Sequence, residues 1–228
     1  MDDLFAAQTV RDRKLERRDV EALVGSPWHI TNCDLDEADL SGLDLSAWTF
    51  EQCSLRHAKL SGAKLEQSRW RSCRGAFADF IGCDLSDAAF TACDFNNSAL
   101  RRAMLQGTRF SRSKLTGADM SDLKALEVHF DETLLVGAKL PGLSFRKTTL
   151  QRIDFSQADL RKVDFRMTTF EGCSLRDAQV DGARFEGADL RGADLGGVTL
   201  GDARRFRGAT ISRDQAALLL GEVGLKVR

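Results

Sequence analysis

From Ile30 onward the chain places an apolar residue at every fifth position: Leu35, Leu40, Leu45, Phe50, Leu55, Leu60, Leu65, Trp70, and so on to Leu200. Of the 35 positions in this series, 33 are large and apolar, the exceptions being Gly75 and Ala125. The residue two places earlier is usually small, as at Cys33, Ala38, Cys53, Ala58, Ala63, Ser68, Cys73 and Ala78. The other three positions of each pentad are mostly polar or glycine. A period of five matches neither the helix repeat of 3.6 nor the strand repeat of 2. It is satisfied if each pentad forms one side of a coil and turns two residues inward, so that four pentads close a circuit of 20 residues. The sequence tests this itself. Every twentieth residue from Ile30 gives Phe50, Trp70, Phe90, Phe110 and Phe130, an aromatic column, and the small slots give Cys33, Cys53, Cys73 and Cys93 on one side and Ala38, Ala58 and Ala78 on another. Unrelated pentads would not sort residue types at that spacing.

Two irregularities carry expectations. Gly75 removes a central side chain between Leu55 and Phe95, which predicts a bend, a bulge or compensation by Phe77. Leu123 and Ala125 look like an exchange of large and small slots that keeps total volume. Outside the repeat, Asp19, Val20, Leu23 and Val24 before Gly25 and Pro27 read as a short helix, and Trp28 and Trp48 as an aromatic first coil beneath it. The repeat fades at Arg205, Phe206 and Ile211. Ser212-Arg213-Asp214-Gln215 is then a capping box opening a helix to about Leu220. The expected organisation is an N-terminal cap over 1–26, the repeat over 27–211, and a C-terminal helix and tail over 212–228.

Pentads such as Cys33-Asp34-Leu35-Asp36-Glu37, Ala38-Asp39-Leu40-Ser41-Gly42 and Ala188-Asp189-Leu190-Arg191-Gly192 resemble the A(D/N)LXX motif of the pentapeptide-repeat family. The resemblance covers about three quarters of the chain. It implies an all-β fold, a right-handed quadrilateral parallel β-helix (a solenoid) with short helical caps at both ends, whose axis is filled by stacked side chains.

Composition narrows the function. With 33 Lys+Arg against 34 Asp+Glu, a formal charge of −1 lacks the basic excess of a typical nucleic-acid binder, and no direct nucleic-acid partner is expected. No apolar run reaches the length of a membrane span, and the acidic start MDDLF is unlike a signal peptide, so the reading is cytoplasmic and without a membrane partner. Six cysteines invite a metal or redox reading, but Cys33, Cys53, Cys73, Cys83, Cys93 and Cys173 all fall on the small inward slot and none forms C-x-x-C. His29, His57 and His129 are scattered and outward-facing. No catalytic, cofactor-binding or metal site is expected, and the protein reads as a non-enzyme.

The outward charges come in bands. Asp34, Asp36, Glu37, Asp39, Asp44 and Glu51 form an acidic stretch, followed later by Asp79, Asp84 and Asp94. Between and after them lie Arg56, Lys59, Lys64, Arg69, Arg71, Arg74, then Arg101, Arg102, Arg109, Arg112 and Lys114. Sorted by 20, Asp39, Lys59 and Asp79 share a column, as do Asp44, Lys64 and Asp84, which is the pattern of coil-to-coil charge ladders. The resemblance to Qnr-type and MfpA-type members implies a second use of the acids: those proteins resemble a DNA duplex and bind DNA gyrase or topoisomerase IV, relieving quinolone poisoning. It also implies a homodimer through the C-terminal helix, here Ala216, Leu219, Leu220, Val223 and Leu225. The alternative is a scaffold for another protein partner, with the charges serving stability.

Overall fold

The computed structural model describes residues 8–124, 127–199, 201, 203–221 and 223–227. Two compact units divide the chain, Met1–His129 and Phe130–Arg228. In each, the pentads form the sides of a four-sided coil.

The first unit contains β1 (Thr9–Arg11), α1 (Arg17–Glu21), β2 (His29–Thr31), β3 (Thr49–Glu51), β4 (Arg69–Arg71), β5 (Ala89–Thr91) and β6 (Thr108–Ser111). These strands pair in parallel and in order, at an offset of 20: Val10 with Ile30, Ile30 with Phe50, Phe50 with Trp70, Trp70 with Phe90, Phe90 with Phe110. The other three sides stack through single bridges at the same offset, such as Asp34–Ser54, Asp39–Lys59 and Asp44–Lys64. Each rung is held by backbone bonds to the rungs above and below, as where Leu35 N donates to Ser54 O (2.8 Å) and Ser54 N to Cys33 O (3.0 Å). The sides end in tight turns closed by bonds such as Ala38 N to Leu35 O (3.1 Å), with the residue after next from each central position in the left-handed region: Glu37 at φ 61°, His57 at 56°, Phe77 at 62°. That corner explains the pentad's length: two residues inward, one outward between them, and two to turn.

The interior follows the expected sorting. Ile30, Phe50, Trp70, Phe90 and Phe110 are all at most 2% exposed. Their rings stack: Phe50–Trp70 at 4.1 Å and 12°, Trp70–Phe90 at 5.5 Å and 8°, Phe90–Phe110 at 4.8 Å and 15°. Such pairs add about 0.5–1.5 kcal/mol each beyond the area they bury.

Gly75 is resolved differently from expectation. Phe77 does not compensate, because it is 54% exposed and stacks on His57 outside the coil (5.1 Å, 2°). Instead the ring of Phe95 fills the vacancy: a Cβ on Gly75 would collide with its Cε1 and Cδ1 atoms. There Phe95 makes edge-to-face contacts with Trp70 (5.9 Å), Phe80 (5.4 Å) and Phe90 (5.5 Å). Leu123 is half-buried, and its partner in the expected exchange, Ala125, lies outside the described residues.

The N-terminal segment also differs. β1 carries the 20-residue register into the segment read as cap, Leu15 continues it with its N–H donating to Asp34 O (2.8 Å), and Leu15 and Val20 are each 1% exposed. The helix begins one turn earlier than expected. Its N-cap is Glu16, and Asp19 is the third helical residue, whose carboxylate accepts from Glu16 N at 2.9 Å. Leu23 and Val24 follow the helix. Trp48 is buried, and half-buried Trp28 donates its Nε1 to Leu23 O at 2.9 Å.

The second unit contains β7 (Val128–Asp131) from its third residue on, β8 (Thr149–Gln151), β9 (Thr169–Ser174), β10 (Asp189–Asp194), a 3-10 turn (Ala203–Phe206) and α2 (Arg213–Gly221). Its strands are again parallel, pairing β7 with β8, β8 with β9 and β9 with β10. Here the ring stack runs up a different side of the coil, through Phe145–Phe165 (5.5 Å, 12°), Phe165–Phe185 (5.1 Å, 20°) and Phe185–Phe206 (4.8 Å). Phe206 thus closes the column where the repeat fades. The helix α2 starts as expected, with Ser212 N donating to Gln215 Oε1 (2.6 Å) and Gln215 N to Ser212 Oγ (3.1 Å). Gln215 also ties it to the last coil, its Nε2 donating to Leu190 O (2.8 Å) and Ala193 O (2.7 Å).

Candidate functional site

All six cysteines are free and buried. Their slot faces backbone carbonyls of the rung below, and the thiols donate to them: Cys53 Sγ to Ile30 O (3.4 Å), Cys73 to Phe50 O (3.3 Å), Cys83 to Leu60 O (2.8 Å), Cys173 to Leu150 O (3.3 Å). Where the slot holds a hydroxyl the same bond recurs, as from Thr108 Oγ1 to Leu85 O (2.8 Å) and Thr168 Oγ1 to Phe145 O (2.6 Å). Burial pushes the Cys83 thiol up to about 12 and raises Cys173 as well, so these groups stay protonated and unreactive. The slot selects small donors for packing. Among the described residues no three His, Cys, Asp or Glu side chains gather closely enough to hold a metal ion.

The nine acids singled out from the sequence are not brought together. Asp34, Asp36 and Asp94 lie on the side that carries Leu35, with Glu37 at its corner, while Asp39 and Asp79 occupy the next side and Asp44 and Asp84 the one after. Glu51 stands on the strand side, opposite Thr31 and Arg71. The acidic stretch is therefore continuous along the chain and distributed around the coil.

Most of these carboxylates are also engaged. An aspartate just before the central residue accepts the backbone N–H two places on: Asp34 from Asp36 (2.9 Å), Asp39 from Ser41 (3.0 Å), Asp79 from Ile81 (2.9 Å), Asp84 from Ser86 (3.0 Å), Asp94 from Asn96 (3.3 Å). This explains why the motif favours Asp or Asn there. Basic groups from other rungs pair with several of them. Arg17 Nη1 lies 3.4 Å from Asp39 Oδ1, Arg56 Nε 3.0 Å from Asp36 Oδ2, Lys64 Nζ 3.5 Å from Asp44 Oδ2, and His29 Nε2 3.0 Å from Glu51 Oε2. Hydrogen bonds from Ser41 and Ser46 hold Asp39 and Asp44 below the usual carboxylate range; at Asp36 burial works the other way and is outweighed by bonds from Ser54 and Arg56. Pairs this exposed contribute about 0–1 kcal/mol each, but they remove much of the free negative charge.

In the second unit, Asp164 is a well-enclosed ion-paired carboxylate, its side chain 9% exposed. Arg166 grips it with two bonds (2.9 and 2.7 Å), and Arg184 adds a third at 2.9 Å from the next rung. Asp189 is held by Arg191 in the same two-pronged way, and that bond, with the Arg191 N–H, lowers its carboxyl to about 2.

The residues expected to form a dimer interface lie in α2 and just beyond its end. α2 has no fully buried residue: Ala216, Leu219 and Leu220 are half-buried, and Val223 and Leu225, beyond its end, are 55% and 57% exposed. Leu218, absent from the sequence-based set, is 75% exposed. Leu218 and Leu219 line a groove of about 430 Å³ against Ala193, Leu195 and Val198 of the last coil. Sequence reasoning missed Leu218 because it lies off the stripe of Ala216, Leu219 and Leu220; only contact with the coil distinguishes the faces of so short a helix.

Comparison with known proteins adds a family and a fold. Family models of pentapeptide repeats match residues 29–92, 83–122, and 135–189 with 160–210. A search of curated proteins finds no match. Among solved structures, a trypsin-treated variant of QnrB1, described as a plasmid-mediated fluoroquinolone resistance protein, aligns with a TM-score of 0.62 at 20% identity, covering 97% of this chain and 98% of that one. Full-length QnrB1 aligns with a TM-score of 0.54 at 21% identity over 96% and 98% of the two chains. At these identities the likeness is one of fold.

Proposed function

We propose, from the premise that this chain belongs to the pentapeptide-repeat family, that it is a non-enzymatic binding protein acting on a type II topoisomerase in the cytoplasm, in the manner of the quinolone-resistance members. The observation that carries this reading is the match to QnrB1 across nearly the whole of both chains. The packed interior supports it, since Phe50, Trp70, Phe90 and Phe110 fill the first unit's axis and function falls to the outer surface. The test is DNA supercoiling by purified gyrase, titrated with this protein with and without a quinolone. The expected result is altered supercoiling or restored activity under drug. No effect at a large molar excess would sink the proposal.

The reading includes a homodimer through α2 and the tail, supported by the apolar side chains of Leu218, Val223 and Leu225 left in water. Replacing Leu219 and Leu220 with Asp is expected to halve the sedimenting mass while the far-ultraviolet circular dichroism stays unchanged. An identical sedimentation profile would remove the interface.

A second reading is favoured by the ion pairs Arg17–Asp39, Arg56–Asp36 and Lys64–Asp44, which quench the acidity a duplex mimic needs. On that reading the protein scaffolds another protein partner, and recovery of one defined non-topoisomerase partner in a pulldown supports it.

A further inference from the structure

Part of the first unit's basic stretches behaves unlike its acids, and unlike Arg56 and Lys64, which are ion-paired. Arg69, Arg71, Arg74, Arg109, Arg112 and Lys114 are all exposed, and none makes an ion pair with a carboxylate among the described residues. The coil gathers them. Arg69 and Arg71 flank Trp70 on β4, and Arg109 stands two rungs above Arg69 on β6. Arg112 turns the corner after β6 at φ 51°. Arg74 and Lys114 open the adjoining side, joined through Asp94 in the rung between. The two cationic rows are therefore about 9.6 Å apart, two strand spacings. The intervening rung offers only small or neutral side chains (Ala89, Thr91, Ala92) besides Asp94, whose Oδ1 accepts from Asn96 N. Beside the lower row, Arg56, Arg74, Asn32, Gln52 and Ser72 line a polar groove of about 510 Å³.

A second observation lies on the same side of the coil. Phe77 occupies a left-handed corner, at φ 62°, with half its surface in water. An aromatic residue in that backbone region carries a conformational cost. It is not offset by burial, and Gly75's vacancy is filled by Phe95 instead. Other rungs place Glu37, Asn97 and Gly117 at this corner. Phe77 and His57 thus form an exposed stack of two rings, with Phe77 three residues along the side from Arg74.

We propose that this surface of the first unit binds single-stranded nucleic acid. Unpaired arginines suit phosphodiester oxygens, and an exposed aromatic suits an unstacked base; together they form the usual pairing of backbone-tracking cations with a stacking platform. A duplex conceals its base faces and would leave Phe77 without a role. An acidic peptide would match the cations but calls for apolar anchoring pockets, and the groove is polar. The net charge of −1, which argues against nucleic acid for the chain as a whole, averages over rungs: on these sides Asp34 and Glu51 lie on rungs below the cations, and Asp94 is the one acid between the two rows. The inference does not depend on topoisomerase binding, and its test contains no topoisomerase.

The experiment is fluorescence anisotropy of the full chain with labelled oligo(dT), a duplex of equal length and a glutamate-rich peptide. Binding of oligo(dT) is expected to exceed that of either competitor and to weaken about 50-fold between 50 and 200 mM salt, for about four phosphate contacts on a single strand. Phe77→Ala is expected to weaken it about tenfold and Phe77→Trp to preserve it, a rescue that loss of charge alone would not show. Arg71→Glu, Arg74→Glu and Arg112→Glu combined should abolish binding, with circular dichroism confirming the fold. Absence of oligo(dT) binding at 50 mM salt, tighter binding of the duplex or peptide, or variants that bind like the parent would each overturn the proposal.

Discussion

Replacing Trp70 with alanine is expected to lower the melting temperature by about 6–20 °C. Trp70 is fully buried, stacked between Phe50 and Phe90 and met edge-on by Phe80 and Phe95, with its Nε1 donating to Ser68 Oγ at 2.9 Å. Truncating an indole in such a site costs about 3–5 kcal/mol, from lost transfer energy and the cavity left behind. The rungs above and below are pinned by backbone bonds at a fixed spacing, so the cavity has little scope to collapse. At about 2–4 °C per kcal/mol for a chain of this size, the shift follows. Thermal denaturation followed by circular dichroism checks it, with Trp70→Phe as the milder control. A fall of only a degree or two would mean that the ring column contributes little.

The second large effect concerns Gly75 and Phe95 as a pair. Gly75→Leu restores the residue type that the period calls for, yet it should destabilise by about 1–3 kcal/mol, because the new side chain meets the Phe95 ring already in its place. Phe95→Leu alone should also destabilise, by emptying that space and removing the contacts with Trp70, Phe80 and Phe90. The double variant rebuilds an ordinary column with Leu55 below and Leu115 above, and should be more stable than the sum of the single losses by about 0.5–3 kcal/mol. Denaturant unfolding of the four proteins measures this coupling. Simple additivity would show that the glycine and the ring are independent.

That pair marks the border between what the residues disclosed and what they did not. The coil was legible because its determinants are local and repeated: Leu35, Leu40 and Leu45 cannot all be buried by a helix or an ordinary strand, and the aromatic and cysteine columns fix the circuit at 20 residues. The substitute for the missing side chain at position 75 was not legible, because Phe77 and Phe95 are both nearby aromatics and only the ring's orientation in space separates them. The N-terminal helix was misplaced by a turn for a similar reason. Asp19 can act as an N-cap or as the third helical residue of a capping box, and Glu16 decided for the second. The acidic stretch from Asp34 to Glu51 reads as a patch along the chain; the circuit scatters it over four sides and sets Arg56 and Lys64 beside it. Conversely Arg69, Arg74, Arg109, Arg112 and Lys114 are separated in sequence and converge in space. Distances of 20 and 40 residues matter more in this fold than distances of one or two.

Parallel strands stacked in register at a constant spacing are also the architecture of an amyloid fibril, in which each added chain finds an open template. At the last coil that template is occupied: Gln215 of α2 donates to the carbonyls of Leu190 and Ala193 that another rung would otherwise claim. A short helix thereby closes an edge onto which further strands could add, and its loss would be felt first as polymerisation rather than as unfolding.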